Sequence, residues 1–247
     1  MQIFVSGIDT DAGKTYATAW LARQLAADGS RVITQKFIQT GNKGYSEDIE
    51  AHRRLTGTGP LPEDAEGLTA PQIFSYPASA QLAARIDGRE IDLDAIDNAR
   101  NRLQQRYDHV LVEGAGGLMV PITDTFFAID YVASRHLPVA LVTNSRLGSI
   151  NHTVLSLEAL KTRGIQLHSI LYNTYYDQSA GPLISADTLD FVKRYTERHF
   201  PGVPVYIVPI ACPSDNHCQA HAFHTRFTIP EKQKKDTLTV ARTKIFL

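Results

Sequence analysis

Residues 7–15 read Gly-Ile-Asp-Thr-Asp-Ala-Gly-Lys-Thr and lie between a strand-like pattern and a helix-like pattern. The apolar residues 3–5 before them are typical of a buried strand, and residues 17–22 after them are typical of a helix. A glycine-bearing turn that joins a strand to a helix and ends in Gly-Lys-Thr is the layout of a phosphate-binding loop, or P-loop. The stretch therefore predicts a nucleotide site.

The residue types in this loop suit phosphate binding. Glycines let backbone N–H groups approach phosphate oxygens, and the helix N-terminus adds positive potential. Lys14 would reach the outer phosphates, and the Thr15 hydroxyl would bind Mg²⁺. Five residues separate Gly7 from Gly13 where the usual pattern has four, so Ile8 stands at the first glycine's position. The alternative is an ordinary helix that happens to begin with Gly-Lys-Thr, and the strand–turn–helix context weighs against it.

Composition and charge narrow the class of protein. A chain of 247 residues with 43% hydrophobic and 21% charged residues is expected to form one large globular domain. A net charge of −1 gives no electrostatic basis for binding nucleic acid or an anionic membrane. No apolar run approaches the roughly 18 residues of a membrane span, and the early first strand leaves no room for a signal peptide. With two cysteines there is no disulfide framework, and we expect a cytoplasmic protein.

Strand and helix patterns alternate along the chain. Further strands are predicted at residues 31–37, 109–113, 138–143, 168–173 and 204–208. Helices are predicted at residues 14–28, 47–56, 79–86, 93–106, 149–163 and 185–199. Residues 57–72 are rich in proline and glycine and are predicted to be an exposed connection. Apolar strands that alternate with helices predict an α/β fold, a P-loop NTPase-like parallel sheet with helices on both faces.

The alternation ends near residue 212. We therefore predict a P-loop domain over residues 1–213 and a C-terminal tail over residues 214–247, whose role the sequence does not indicate. The cysteines and histidines of the tail fit no standard zinc-ligand spacing, which favours an ordinary surface segment.

Three polar residues stand at predicted strand ends: Lys36, Glu113 and Asn173. Ligands of open parallel sheets bind beyond the carboxyl ends of the strands, so these residues are expected to converge beside the P-loop. An apolar strand that ends in an acid is how P-loop proteins supply a second metal group. The glycines after Glu113 favour close approach by a ligand over a role as a helix-cap neighbour.

Other candidates have stronger structural alternatives. Asp48 lies in the first turn of a predicted helix, where acids are common because of the helix dipole. Lys36 could equally be a solvated strand end. Residues 147–152 form a glycine-led helix start with N–H groups suited to a carboxylate or phosphate, and an ordinary capped helix is an equal alternative.

Three motifs together resemble the ATP-dependent dethiobiotin synthetases. They are residues 9–15, residues 112–117, which read Val-Glu-Gly-Ala-Gly-Gly, and residues 147–152, which read Leu-Gly-Ser-Ile-Asn-His. The first glycine of that family's P-loop also stands one residue early, and the resemblance covers roughly residues 1–213. It implies that CO₂ adds to an amine of 7,8-diaminononanoate, that ATP phosphorylates the carbamate to a carbamic-phosphoric anhydride, and that the second amine closes the ureido ring.

The resemblance also implies roles for individual residues. The Mg²⁺ ligands would be Thr15, Asp48 and Glu113, and the catalytic residues Lys14, Lys36 and Thr10, with both lysines neutralising charge on the phosphates and carbamate. ATP would be bound by Asp11, Ala12, Gly13, Lys14, Thr15, Asn173 and Pro209. The diamine would contact Thr40 and Gly116, and its carboxylate would meet the helix start at Gly148, Ser149, Ile150 and Asn151 from the partner subunit of a homodimer.

The sequence departs from the family in three places. Phe37 replaces a proline, residues 79–81 read Ser-Ala-Gln where Ser-Pro-His is common, and Arg146 replaces a frequent lysine. Three alternatives therefore stay open. A related ATP-dependent amide ligase usually carries a glutaminase domain that this sequence lacks. A partitioning-type ATPase switch would have a lysine near the start of the P-loop, where Ile8 and Asp9 stand. The last alternative is a catalytically inactive paralogue.

Overall fold

The computed structural model describes residues 1–210, so the predictions for the tail, its cysteines and histidines and the boundary near residue 213 lie outside the described residues. The strands are β1 (Gln2–Gly7), β2 (Val32–Lys36), β3 (Gln39–Thr40), β4 (Ile73–Phe74), β5 (His109–Gly117), β6 (Val139–Asn144), β7 (Leu167–Asn173) and β8 (Val205–Val208). Six of them form one sheet in the order β2-β5-β1-β6-β7-β8, with every neighbouring pair parallel. This confirms the predicted parallel α/β fold.

The helices connect these strands. They are α1 (Lys14–Ala27), α2 (Glu47–Thr56), α3 (Pro62–Ala65), α4 (Ala80–Ile86), α5 (Leu93–Arg106), α6 (Ala128–Ser134), α7 (Ser149–Thr162), α8 (Asp177–Ala180) and α9 (Pro182–His199), with a 3₁₀ helix at Thr174–Tyr176. Every residue of β6 and β7 is buried. Successive strand residues point to opposite faces, so both faces of the sheet are covered there. Within residues 1–210 no helix has the length and apolar character to cross a membrane.

The prediction that residues 57–72 form an exposed connection holds for residues 65–67 and is wrong for residues 68 and 69. The segment contains α3, and it buries Leu68 and Thr69. The backbone N–H of Lys36 donates to the Thr69 carbonyl (2.7 Å), and the Gln35 side chain donates to the Leu68 carbonyl (2.9 Å). Strand β2 is at the edge of the sheet, where unpaired backbone groups need partners. The segment supplies those partners, which its turn-rich composition did not indicate.

An aromatic cluster explains one departure from the family pattern. Phe37 directly follows β2 and is buried, with its ring 5.5 Å from that of Phe4 and 4.6 Å from that of Tyr131. Tyr131 belongs to α6, a short helix that the sequence patterns did not predict. Buried aromatic pairs in tilted or edge-to-face geometry stabilise a core beyond their buried area. Phe37 therefore anchors the end of β2 directly behind Lys36.

The strand register brings the predicted polar residues to one edge. Lys36 on β2 is directly opposite Glu113 on β5, and Asn144 on β6 is opposite Asn173 on β7. The P-loop follows β1, which lies between β5 and β6. The carboxyl edge of the sheet therefore holds the candidate site.

Candidate active site

The P-loop joins β1 to α1 and depends on glycine at two points. A Cβ atom on Gly7 would lie 2.8 Å from the Asp9 carbonyl oxygen and 3.1 Å from the Lys14 Cγ. Gly13 caps α1 with a φ of 87°, and a Cβ there would lie 2.0 Å from the Asn173 Nδ2. No L-residue with a side chain fits either place without a shift of its neighbours. The early glycine of the motif is thus a steric requirement of this loop.

Lys14 is buried within the loop. Its Nζ donates to the carbonyl oxygens of Asp9 (3.0 Å) and Thr10 (2.8 Å). Burial, and secondarily the charge on Lys36, lowers the pKa of Lys14 to about 8. A buried ammonium that is held mainly by carbonyl oxygens lacks a full counter-charge, so an anion entering the loop would be favoured.

Four side chains from four elements meet beside the loop. The Lys36 Nζ lies 2.5 Å from the Asp48 Oδ2 and 2.8 Å from the Glu113 Oε1. The Thr15 Oγ1 lies 2.8 Å from the Asp48 Oδ1 and 3.1 Å from the Glu113 Oε1. A hydroxyl carries one proton and can donate to one of these carboxylates at a time. Thr15, Asp48 and Glu113, which the sequence predicted as one group, do lie together.

Lys36 and Glu113 form an ion pair in this cluster, and each group favours the ionised state of the other. Burial alone would raise the pKa of Glu113, but the charges of Lys36 and His52 outweigh it and hold that pKa well below the usual range. Burial alone would lower the pKa of Lys36, but the carboxylates of Glu113 and Asp48 raise it above the ordinary value. Both groups are therefore ionised at neutral pH.

The donor set suits Mg²⁺. It consists of a hydroxyl and two carboxylates, the oxygen ligands that this ion prefers. Among residues 1–210 there is no group of three His, Cys, Asp or Glu side chains that could hold a metal by itself. The Thr15 Oγ1 lies within 3.1 Å of one oxygen of Asp48 and one oxygen of Glu113. These residues therefore fit the ion, together with phosphate or water oxygens.

Sequence reasoning missed His52. Its Nε2 lies 2.6 Å from the Glu113 Oε2, and both side chains are almost completely buried. The available signal was spacing, because His52 follows Asp48 by four residues on α2 and residues so spaced share a helix face. A histidine in an amphipathic helix is common enough that this spacing alone did not distinguish it.

Asn173 and Tyr176 both contact the P-loop backbone. The Asn173 Nδ2 donates to the Ala12 carbonyl (3.1 Å), and its Oδ1 accepts from the backbone N–H of Tyr175 (3.1 Å). The Tyr176 hydroxyl donates to the Asp11 carbonyl (2.9 Å). Asn173 therefore braces the loop, while its predicted contact with adenine stays a prediction. Tyr176 was not predicted from the sequence.

The remaining predicted residues lie around this centre. A Cβ on Gly116 would be 3.7 Å from the Thr10 Oγ1, which places the end of β5 beside the P-loop. Thr40 is on β3, and its neighbour in that strand, Gln39, accepts a hydrogen bond from Ser46, the N-cap of α2. Pro209 follows β8. For Thr40 and Pro209 we find no contact with the ion cluster in the described residues, and their roles stay predictions.

The start of α7 has the predicted character in part. Gly148 caps it with a φ of 94°, its first turn has no acidic residue, and no side chain caps it. The backbone N–H of Ser149, however, donates to the Arg146 carbonyl (2.9 Å). This corrects the expectation of a free N–H at Ser149 and leaves the N–H groups of Ile150 and Asn151 as the candidates for an anion.

The fold and the P-loop define a P-loop nucleotide-binding protein, and residues 1–208 match the family described as an AAA domain. The chain is 44% identical to the ATP-dependent dethiobiotin synthetase BioD 2 of Pasteurella multocida, over 81% of this chain and 92% of that protein. It is 48% identical to the ATP-dependent dethiobiotin synthetase BioD of Chlorobaculum tepidum, over 81% of this chain and 84% of that protein. The chain belongs to the ATP-dependent dethiobiotin synthetase family.

Proposed function

We propose that this chain is an ATP- and Mg²⁺-dependent cyclo-ligase that converts 7,8-diaminononanoate and CO₂ into dethiobiotin in biotin biosynthesis. The observation that supports it most is the ionised cluster of Lys36, Asp48 and Glu113 against Thr15 of the P-loop. It occurs in a chain that is 44% identical to a dethiobiotin synthetase over 199 residues.

The reaction has three steps. The nitrogen of one neutral amine attacks CO₂, and the resulting carbamate forms as a proton is released to solvent. A carbamate oxygen then attacks the γ-phosphorus of ATP, and ADP leaves with the electron pair of the broken P–O bond. The second amine attacks the carbonyl carbon of this anhydride, the C–O bond to phosphate breaks, and the ureido ring closes with loss of a proton and phosphate.

The residues of the site supply mainly fixed positive charge. Phosphoryl transfer to a carbamate gathers several negative charges, so preorganised cations and N–H dipoles are the main requirement. Lys14 would exchange its contacts with the Asp9 and Thr10 carbonyls for phosphate oxygens. Lys36 would face the carbamate, and Thr10, which lies in the loop beside Gly116, would contact it as well.

Thr15, Asp48 and Glu113 would hold Mg²⁺. The ion, when bound there, would neutralise charge on the β- and γ-phosphates. The chain's own contribution is to keep two ionised carboxylates and a hydroxyl aimed at one point. Lys36 keeps those carboxylates compensated before ATP binds.

The other contacts extend from this centre. Asp11, Ala12 and Gly13 would bind phosphates through backbone N–H groups, and Asn173 and Pro209 would contact the adenine. Thr40 and Gly116 would flank the diamine. A nine-carbon diamine spans on the order of 10 Å, judged by extended-chain spacing, so its carboxylate could reach Gly148, Ile150 and Asn151 of a second subunit. We therefore propose a symmetric homodimer in the cytoplasm, with two sites at its interface.

The direct test supplies diaminononanoate, ¹³C-bicarbonate, MgCl₂ and ATP and detects dethiobiotin by mass spectrometry. We expect product that contains one ¹³C and forms only when ATP is present. ATP hydrolysis without labelled product would contradict the assignment and favour an ATPase switch, and no reaction at all would indicate an inactive paralogue. Sedimentation at assay concentration tests the dimer, because a fully active monomer would contradict the shared site.

A further inference from the structure

We propose that His52 is a positioning residue that fixes the orientation of the Glu113 carboxylate toward the divalent metal. This inference rests on the proposed function in one respect, namely that Glu113 binds Mg²⁺. The residues that carry it are His52, Glu113 and the two donors on the other side of that carboxylate, Thr15 and Lys36.

The two oxygens of Glu113 have different partners. Oε1 accepts from the Lys36 Nζ (2.8 Å) and lies 3.1 Å from the Thr15 Oγ1, while the His52 Nε2 lies 2.6 Å from Oε2. Because Oε1 is the oxygen beside Thr15, it is the one aimed at the metal position. His52 holds the other oxygen, so together the contacts prevent rotation of the carboxylate about its terminal bond.

The His52 ring forms its hydrogen bond with the Glu113 carboxylate. An ionised carboxylate only accepts hydrogen bonds, so the proton between the two groups belongs to Nε2. The ring is fully buried, and among the described residues its Nδ1 has no hydrogen-bond partner. The short contact between Nε2 and Oε2 is therefore the hydrogen bond that the imidazole makes within the described residues.

Helix α2 supplies both Asp48 and His52. One turn separates them, so one helix face presents Asp48 to Lys36 and Thr15 and presents His52 to Glu113. Without the imidazole, Oε2 would be a buried acceptor with no donor, and the carboxylate could turn to place either oxygen toward Lys36. Hydrogen bonds behind a metal ligand typically change metal affinity or activity by about 10- to 100-fold.

Two substitutions of His52 distinguish the effect of its N–H donor from the effect of its packing volume. His52→Leu removes the donor at similar volume, and His52→Gln places an amide N–H near the position of Nε2. We expect His52→Leu to weaken Mn²⁺ binding by about 10- to 100-fold, measured by electron paramagnetic resonance with a non-hydrolysable ATP analogue. His52→Gln should recover most of that affinity. Binding of the analogue in EDTA should change in neither variant, because the donor acts on the metal ligand and not on the P-loop.

Arg53 provides the matched control. It is the next residue of α2 and forms a two-point pair with Asp64, Nε to Oδ2 (3.0 Å) and Nη2 to Oδ1 (2.7 Å), with no contact to Glu113. Arg53→Met should lower the melting temperature without changing Mn²⁺ affinity. Equal Mn²⁺ affinity in His52→Leu and wild type, or an equal loss in Arg53→Met, would overturn the proposal. If His52→Leu does not fold, His52→Asn, whose amide is too short to reach Oε2, replaces it and should bind Mn²⁺ more weakly than His52→Gln.

Metal binding and product formation can fail separately in this design. Loss of Mn²⁺ affinity in His52→Leu, with no dethiobiotin from the wild type, would support the role of His52 and reject the proposed substrate. Dethiobiotin from the wild type, with unchanged Mn²⁺ affinity in His52→Leu, would support the function and reject the role of His52.

Discussion

Strand β5 buries two titratable residues, Glu113 in its middle and His109 at its first position, and burial has opposite outcomes for their charges. Glu113, at the carboxyl edge of the sheet, is paired with Lys36, and its pKa is held low by the charges of Lys36 and His52 against the effect of burial. At the amino edge, burial lowers the pKa of His109, and burial lowers the pKa of His168 on β7 to about 4. The buried glutamate at the carboxyl edge is thus charged, whereas the buried histidines at the amino edge are neutral.

The difference indicates where the fold carries function. Ionised groups in the interior are costly to desolvate, and apolar replacements of such groups are often as stable. A cluster of this kind is therefore expected where a ligand requires it. Keeping histidines neutral costs less, and the ion pair at the amino edge, Arg31 with Asp108, is exposed, with side chains 67% and 46% accessible. Four substitutions, in order of decreasing effect, test this comparison.

Lys14→Ala should give the largest effect. It removes the buried ammonium that is held by the Asp9 and Thr10 carbonyls, and with it a preorganised charge for the phosphates. We expect turnover to fall by about a hundredfold to a thousandfold in a protein whose circular dichroism is unchanged. Lys161→Ala, at an exposed lysine of α7, is the control and should retain activity. Near-normal turnover in Lys14→Ala would argue against a nucleotide site.

Lys36→Met should lower the stability of the nucleotide-free protein. It leaves Glu113 buried without its cation and removes the counter-charge of Asp48. We expect the free energy of unfolding, from urea titration at pH 7, to fall by about 3 kcal/mol. Adding Glu113→Gln in the same chain should recover part of this loss, because the unpaired charge is then absent. No recovery in the double variant would mean that the ion pair is not the source of the effect.

His168 should make stability depend on pH at the amino edge. Its pKa is about 4 when folded and 6.5 when unfolded, so below pH 6.5 only the unfolded chain takes up the proton. Stability is therefore lost as the pH falls from 6.5 toward 4. Between pH 7 and pH 5 this amounts to about 2 kcal/mol. His168→Asn should show a smaller loss in urea titrations at the two pH values, and an identical loss would contradict the assignment to this group.

Arg146→Met should have the smallest effect. The Arg146 Nη2 lies 2.6 Å from the Asp9 Oδ2, but the two side chains are 40% and 43% exposed. Exposed ion pairs contribute about 0–1 kcal/mol, so we expect the melting temperature to change by less than in Lys36→Met. If Arg146→Met lowered the melting temperature more than Lys36→Met, burial would not determine how much an ion pair at this edge contributes to stability.

Long apolar strands and phosphate-binding glycines made much of this fold predictable. The predicted strands that hold Lys36 and Asn173 were correct because parallel strands in a covered sheet are continuous apolar runs. The prediction that Glu113 ends its strand was wrong, because β5 continues to Gly117. Short elements gave weaker signals. Strands β3 and β4 have two residues each, which is too few for a period to be recognised. Helix α6 was missed although α4, which also has seven residues, was predicted.

The residues of the candidate site that lie in the P-loop or beside strand ends were predictable from the sequence, and contacts between other elements were not. Thr15, Asp48 and Glu113 met as expected because the P-loop and strand ends share one edge. His52 was missed because its role depends on a contact across elements, which spacing on one helix does not specify. The contact of Ser149 with Arg146 was also not predictable, since it depends on the path of the turn before α7.

The carboxyl edge of the sheet is proposed here to be a metal–nucleotide site. A crystal structure with Mg²⁺ and a non-hydrolysable ATP analogue would test this proposal. We expect one ion beside the β- and γ-phosphates, with oxygens of Thr15, Asp48 and Glu113 at about 2.1 Å or one water away. Lys14 should contact the phosphates in place of the Asp9 and Thr10 carbonyls. The metal site would be rejected if the ion bound elsewhere, Asp48 turned to solvent and Glu113 remained paired only with Lys36 and His52.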